Sequence, residues 1–181
     1  MNTLQTACLC LLIGLSQGST RADAPENNLK ADLSLRSGFT FSNEYAKFPA
    51  ILAGIQSAQK LSHQGQTEKA WALYEDLRTL CREKEFNHGL ADIELFLGEL
   101  NYNWGKYDRS LRHFITSRKL SNKLGYPTTE AHALNYIGKF YHTRGAFNRS
   151  LNYFRAGLEI ALTTADSAII SELYRNIGNY Y

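Results

Sequence analysis

Proline is scarce in this chain, occurring only at Pro25, Pro49 and Pro127. The stretch between the last two therefore lacks the one residue that removes a backbone donor and breaks helices. Cysteine is as rare: Cys8 and Cys10 fall in the first ten residues, and only Cys81 stands further on. A lone thiol closes no internal disulfide, so the body of the chain is expected to need none. Cys81 lies in an amphipathic helical stretch and reads as a small core residue rather than a nucleophile. No Lys/Arg run is present, and the basic residues behind the formal net charge of +3 are scattered. Nothing here points to a phosphate-tracking surface, and no nucleic acid is expected as partner. Sustained two-residue alternation is also missing, which argues against a sheet.

Catalytic patterns are absent as well. The chain has no phosphate-cradling Gly-Lys-Ser/Thr loop, no His-Glu-x-x-His and no Gly-x-Ser-x-Gly elbow. Its histidines, His63, His88, His113, His132 and His142, have no carboxylate or cysteine at ligand spacing. His132 and His142 share a helix face but stand about 15 Å apart along it, too far to share a metal. They are expected as surface or interface histidines. No metal, no cofactor and no enzymatic activity are expected. Asn148-Arg-Ser150 is a glycosylation sequon, meaningful only in a eukaryotic secretory cell.

Residues 7–15 form an apolar run at the N-terminus. It is too short to cross a bilayer, which takes roughly 20 residues, and it fits the apolar segment of a secretory signal peptide. Ala22-Asp23-Ala24 and Ser16-Gln17-Gly18 are alternative cleavage sites. No Lys or Arg precedes the run, so the other reading is an apolar terminus packed on the first helix. Export to a periplasmic or extracytoplasmic compartment is the expectation. Residues 1–24 are then the signal peptide. Residues 25–47, polar and aperiodic, form a linker with at most a short helix, and 48–181 form the folded domain.

What the chain does have is a repeat. Gly98, Gly138 and Gly178 are forty residues apart, with Ala58 forty before the first. Gly65, Gly105 and Gly145 keep the same interval, as do Tyr74, Phe114 and Phe154, and Ala70, Ser110 and Ser150. So do Leu97, Ile137 and Ile177, and Leu80, Leu120 and Ile160. Glycine in a helix interior costs about 1 kcal/mol relative to alanine, so its recurrence implies that a neighbouring helix approaches closely. Gly65, Gly105 and Gly145 close the helix that contains the small residue. Phe147, Leu151, Phe154, Leu158 and Leu162 follow one helix face. Gly125-Tyr126-Pro127-Thr128 reads as helix stop, turn and restart, and Asp166 as the N-cap of the final helix. Helices are expected near 48–64, 67–84, 88–104, 107–124, 128–144, 147–164 and 167–181.

The columns Leu97-Gly98 and Ile137-Gly138, Gly105-Lys106-Tyr107 and Gly145-Ala146-Phe147, Ser110-Leu111 and Ser150-Leu151, and Phe114 and Phe154 resemble the tetratricopeptide repeat family, over residues 50–181. The period of forty exceeds the family's usual thirty-four. The bulky residue that the family places four before each mid-helix glycine is here Glu94, Leu134 or Tyr174. The resemblance implies an all-α, right-handed superhelical stack of antiparallel helix pairs, an α-solenoid of about three and a half repeats. Gly178-Asn-Tyr-Tyr181 aligns with Gly138-Lys-Phe-Tyr141, so the chain is expected to be cut off within a fourth repeat, as part of a longer parent.

In such stacks the first helix of each pair lines a concave face where partners bind. Helical phase places Glu99, Tyr102 and Asn103 there, then His132, Asn135, Lys139 and His142, then Arg175 and Asn179. This mix of aromatic, amide and charged groups suits an extended peptide. The expectation is a non-catalytic protein- or peptide-binding scaffold. The alternative is the extracytoplasmic sensor region of a bacterial histidine kinase or diguanylate cyclase receptor whose output domain lies outside this chain. A membrane would enter only through such a missing downstream segment.

Overall fold

The computed structural model describes residues 39–181. The apolar run, both candidate cleavage sites, Cys8, Cys10 and most of the 25–47 linker lie outside the described residues. Seven α-helices follow in order: α1 (Pro49–His63), α2 (Thr67–Glu83), α3 (Asn87–Asn103), α4 (Tyr107–Leu124), α5 (Pro127–Thr143), α6 (Phe147–Ala161) and α7 (Ser167–Gly178). No strand occurs among the described residues, and none of the helices is long and apolar enough to cross a membrane.

The expected punctuation sets the boundaries. Pro49 and Pro127 open α1 and α5 in the first turn, where a missing N–H costs nothing. Gly65, Gly105 and Gly145 take φ of +75°, +71° and +72° just beyond α1, α3 and α5, a conformation that only glycine adopts cheaply. The carboxylate of Asp166 accepts from the N–H groups of Ala168 and Ile169, both at 3.1 Å, and caps α7. Two ends come early: α6 closes at Ala161 and α7 at Gly178.

Successive helices pack as antiparallel neighbours, and the first helices also touch one another, α1 with α3, α3 with α5 and α5 with α7. The result is an α-solenoid-like stack. Its pairs close tightly because of the mid-helix glycines. A Cβ on Gly98 would come within 2.4 Å of the Phe114 ring, and one on Gly138 within 2.6 Å of Phe154. Gly178 differs, with open space where its Cβ would stand. Ser150 is fully buried and donates to the carbonyl of Gly138 at 2.8 Å, tying α6 to α5.

Glu94, in place of a bulky apolar residue, makes a polar joint between pairs. It is buried on α3, with His113 of α4 at 2.7 Å and Arg78 and Arg82 of α2 at 3.7 and 3.9 Å. A buried carboxylate persists only with such partners. Cys81 is buried, and burial, then the charge of Asp92, pushes its thiol up to about 12, as suits a core residue.

Residues 39–47, expected as part of the linker, dock on the helices: Phe39 and Tyr45 are as buried as the helix core, and the short helix allowed there is the 3-10 helix Asn43–Lys47. The aromatic side chains cause this. Phe48 stacks on Phe86 at 4.4 Å, Tyr45 meets the same ring edge-on, and Phe39 and Phe41 pack on Phe96 of α3.

Candidate binding face

The forty-residue register lays out the face of the first helices as rows. Gln59, Glu99, Lys139 and Asn179 occupy one row, on α1, α3 and α5 and at the end of α7 in turn, each directly after the small residue of its helix. Ser62, Tyr102 and His142 form a second row, three residues further on. Two clefts open along this face, and both rows line both of them.

The first cleft, of about 100 Å³, lies where α5 meets α7, with Tyr102, Lys139, His142, Asn176 and Asn179 on its walls. Lys139 pairs with Glu172 of α7 and sits 4.6 Å above the Tyr136 ring. Burial pulls the Glu172 carboxyl up, but the charge and hydrogen bond of Lys139 and the nearby amide of Asn135 outweigh it and leave it below the usual carboxylate range. Arg175 is largely exposed and approaches the same carboxylate only at 4.0 Å. The buried amide of Asn135 accepts from Asn176 at 2.8 Å, while its own nitrogen makes no hydrogen bond of ordinary geometry.

The second cleft, of about 120 Å³, lies between α1 and α3 and reaches Tyr136 of α5. Its polar lining is Gln59, Ser62 and His63 from α1 and Glu99 and Asn103 from α3. The rings of Tyr74, Phe96 and Tyr136 and the side chain of Leu100 supply the rest.

Of the nine residues placed on the face by helical phase, six line one of these clefts: Tyr102, Lys139, His142 and Asn179 in the first, Glu99 and Asn103 in the second. Arg175 stands exposed beside the first cleft. His132 and Asn135 are buried. His132 Nε2 lies 3.1 Å from Asp166, and its ring is covered by Phe39 at 5.1 Å. His113 and His132, expected at the surface or an interface, are paired with carboxylates from elsewhere in the stack, Glu94 of α3 and Asp166 just before α7.

Phase alone did not pick out Asp92, although Asp92, His132 and Glu172 form a third row at the same forty-residue interval. Asp92 is fully buried on α3 and has three hydroxyl donors: Tyr45 at 2.8 Å, Tyr126 at 3.2 Å and Thr129 at 2.5 Å. Burial drives its carboxyl up to about 7 against the pull of those hydrogen bonds. Burial, then the charge of Asp92, also holds the Tyr45 and Tyr126 hydroxyls well above their ordinary range. The Tyr126 hydroxyl in turn accepts from the N–H of Ser42 at 3.0 Å. The segment before α1 is thereby fastened across the starts of α3 and α5.

The clefts offer hydrogen-bonding amides, hydroxyls, one paired lysine and aromatic walls. Among the described residues, no three His, Cys, Asp or Glu side chains converge as a metal set.

No protein-family model matches the chain, and no curated protein matches it in sequence. Among solved structures the fold is similar to that of BtubC (BKLC) from P. vanneervenii, with a TM-score of 0.63 and 18% sequence identity. The match covers 73% of this chain and 55% of that one, so the chain spans little more than half of the protein it resembles. At that identity the likeness concerns the fold alone.

Proposed function

We propose that this chain is a tetratricopeptide-type scaffold that holds a protein or peptide partner along the face of its first helices and catalyses no reaction. One observation carries the reading: two clefts open on one face, and the same two repeat rows line both. A ligand that spans the stack would meet chemically graded positions at regular intervals. Gln59, Glu99, Lys139 and Asn179 present an amide, an anion, a cation and an amide along its path. Extended peptides are read in this way, by side-chain pockets and hydrogen bonds along a rigid surface.

The clefts suit an extended segment better than a helix. An α-helix with its side chains is about 10–12 Å wide, whereas the clefts hold about 100 and 120 Å³. The test uses peptides selected by display on the full chain, with affinity measured for the native protein and for Lys139→Glu combined with Arg175→Glu. Affinity is expected to fall about tenfold or more, as when a charge at an interface is reversed, with helicity unchanged. Equal affinity would remove the first-helix face from consideration.

A further inference from the structure

Gln59 sits on α1 in the row that continues through Glu99, Lys139 and Asn179. Its side chain lines the second cleft and is only 5% exposed. Neither its amide nitrogen nor its carbonyl oxygen has a hydrogen-bond partner among the described residues. A buried donor and a buried acceptor left together without partners are costly, and folded proteins rarely retain such a pair without a reason. Leucine or methionine would fill the same volume with no such cost.

We infer that the Gln59 cleft is a recognition pocket for a primary carboxamide, the side chain of a glutamine or asparagine carried by an extended partner. The inference rests on the proposed peptide-binding reading and gives its first-pair end a chemical specificity. Gln59 needs one acceptor for its N–H and one donor for its C=O. A carboxamide supplies both at once, in a reciprocal pair of N–H···O bonds. A carboxylate would satisfy only the nitrogen, leave the oxygen unpaired and meet the like charge of Glu99 on the cleft wall. An ammonium group would satisfy only the oxygen.

Depth disfavours the partner's main chain. Both amide atoms of Gln59 are covered, so a head group pairs with them only as the side chains at the cleft floor move aside, and the slim end of a side chain requires the least movement. The aromatic walls fit a flat, neutral head group: Phe96 is buried and Tyr136 half-buried. Ser62, His63 and Asn103, nearer the mouth of the cleft by their exposure, are placed to meet the backbone from which the side chain descends.

The test follows the side-chain NH2 resonances of Gln59 in the full chain by nuclear magnetic resonance. The probes are the N-acetyl N-methylamides of glutamine, glutamate and lysine, which share one main chain without a primary carboxamide and differ in the head group. The glutamine probe is expected to shift Gln59 saturably and to bind about tenfold more tightly than the other two, as sites built around a hydrogen-bonding pair reject analogues that lack it. Equal binding of all three would show main-chain or unspecific contact and overturn the proposal, as would an unmoved Gln59 signal.

In Gln59→Met, followed on the backbone amides of α1 and α3 that line the cleft, binding of the glutamine probe is expected to be lost while the melting temperature stays equal or higher, since the variant removes two unpaired buried groups. Gln59→Glu keeps the shape but offers only acceptors, and is expected to move the preference from the glutamine to the lysine probe. Retained glutamine preference in either variant contradicts the pocket. The outcome is separable from the broader reading. Selected peptides that depend on Lys139 and Arg175 but ignore Gln59 would leave the scaffold standing and remove this pocket.

Discussion

Tyr45 and Asp92 are joined by a 2.8 Å hydrogen bond across forty-seven residues of sequence. The bond fastens the segment before the first helix to the second helix pair. It reaches a carboxylate that is fully buried, whose other donors are also uncharged hydroxyls, those of Tyr126 and Thr129.

Asp92 therefore gives the fold a pH dependence of unusual sign for a carboxylate. The folded chain keeps the proton up to about pH 7, whereas an unstructured aspartate releases it near 3.8. Between those values the folded state binds the extra proton, so stability falls as pH rises through the window and levels off above it. Asp166 and Glu172 are held below their usual values. Their contribution is complete above their unfolded values and is lost only as pH falls further. Denaturant unfolding at steps from pH 5 to 8 is expected to show a decline of roughly 2 kcal/mol or more. Asp92→Asn is expected to flatten it.

The mid-helix glycines make contrasting predictions. Gly98→Ala and Gly138→Ala push a methyl group into the rings of Phe114 and Phe154, and each is expected to cost about 1–3 kcal/mol. Gly178→Ala meets nothing and is expected to be neutral, or stabilising by up to about 1 kcal/mol through helix propensity. Thermal melts of the three variants check this directly.

Glu94→Ala is expected to destabilise by about 1–3 kcal/mol, because it takes the buried carboxylate from His113 and leaves Arg78 with Glu75 alone. Glu94→Leu combined with Arg78→Leu is expected to recover much of that loss, since an apolar joint suits the position as well. Unfolding free energies of the single and double variants decide it. A double variant no better than Glu94→Ala would mean that the joint depends on its charges.

The helix stack was legible in the sequence because its causes are local and periodic. Glycines at forty-residue spacing, prolines in first turns and the capping aspartate Asp166 all act within a turn or two of their own position. The rows along the first helices were legible for the same reason: phase alone places Lys139 and Tyr102 in them. What phase does not convey is what covers a face. His132 and Asn135 have the right phase, yet Phe39 and Asp166 close over one and Asn176 meets the other.

The docking of residues 39–48 was hidden because ten residues carry no period. Its signal was a charged residue, Asp92, between Ala91 and Ile93 on a helix that is otherwise buried. Gln59 was overlooked for a different reason. In an amphipathic helix a glutamine beside the small residue reads as solvated, and only the packed structure shows both of its polar atoms covered.

The most direct measurement of the central claim is hydrogen–deuterium exchange on the full chain with and without a display-selected peptide. Protection is expected in α1, α3, α5 and α7, centred on the segments that carry Gln59, Glu99, Lys139 and Asn179. Protection confined to α2, α4 and α6 would place the partner on the opposite face and contradict the account.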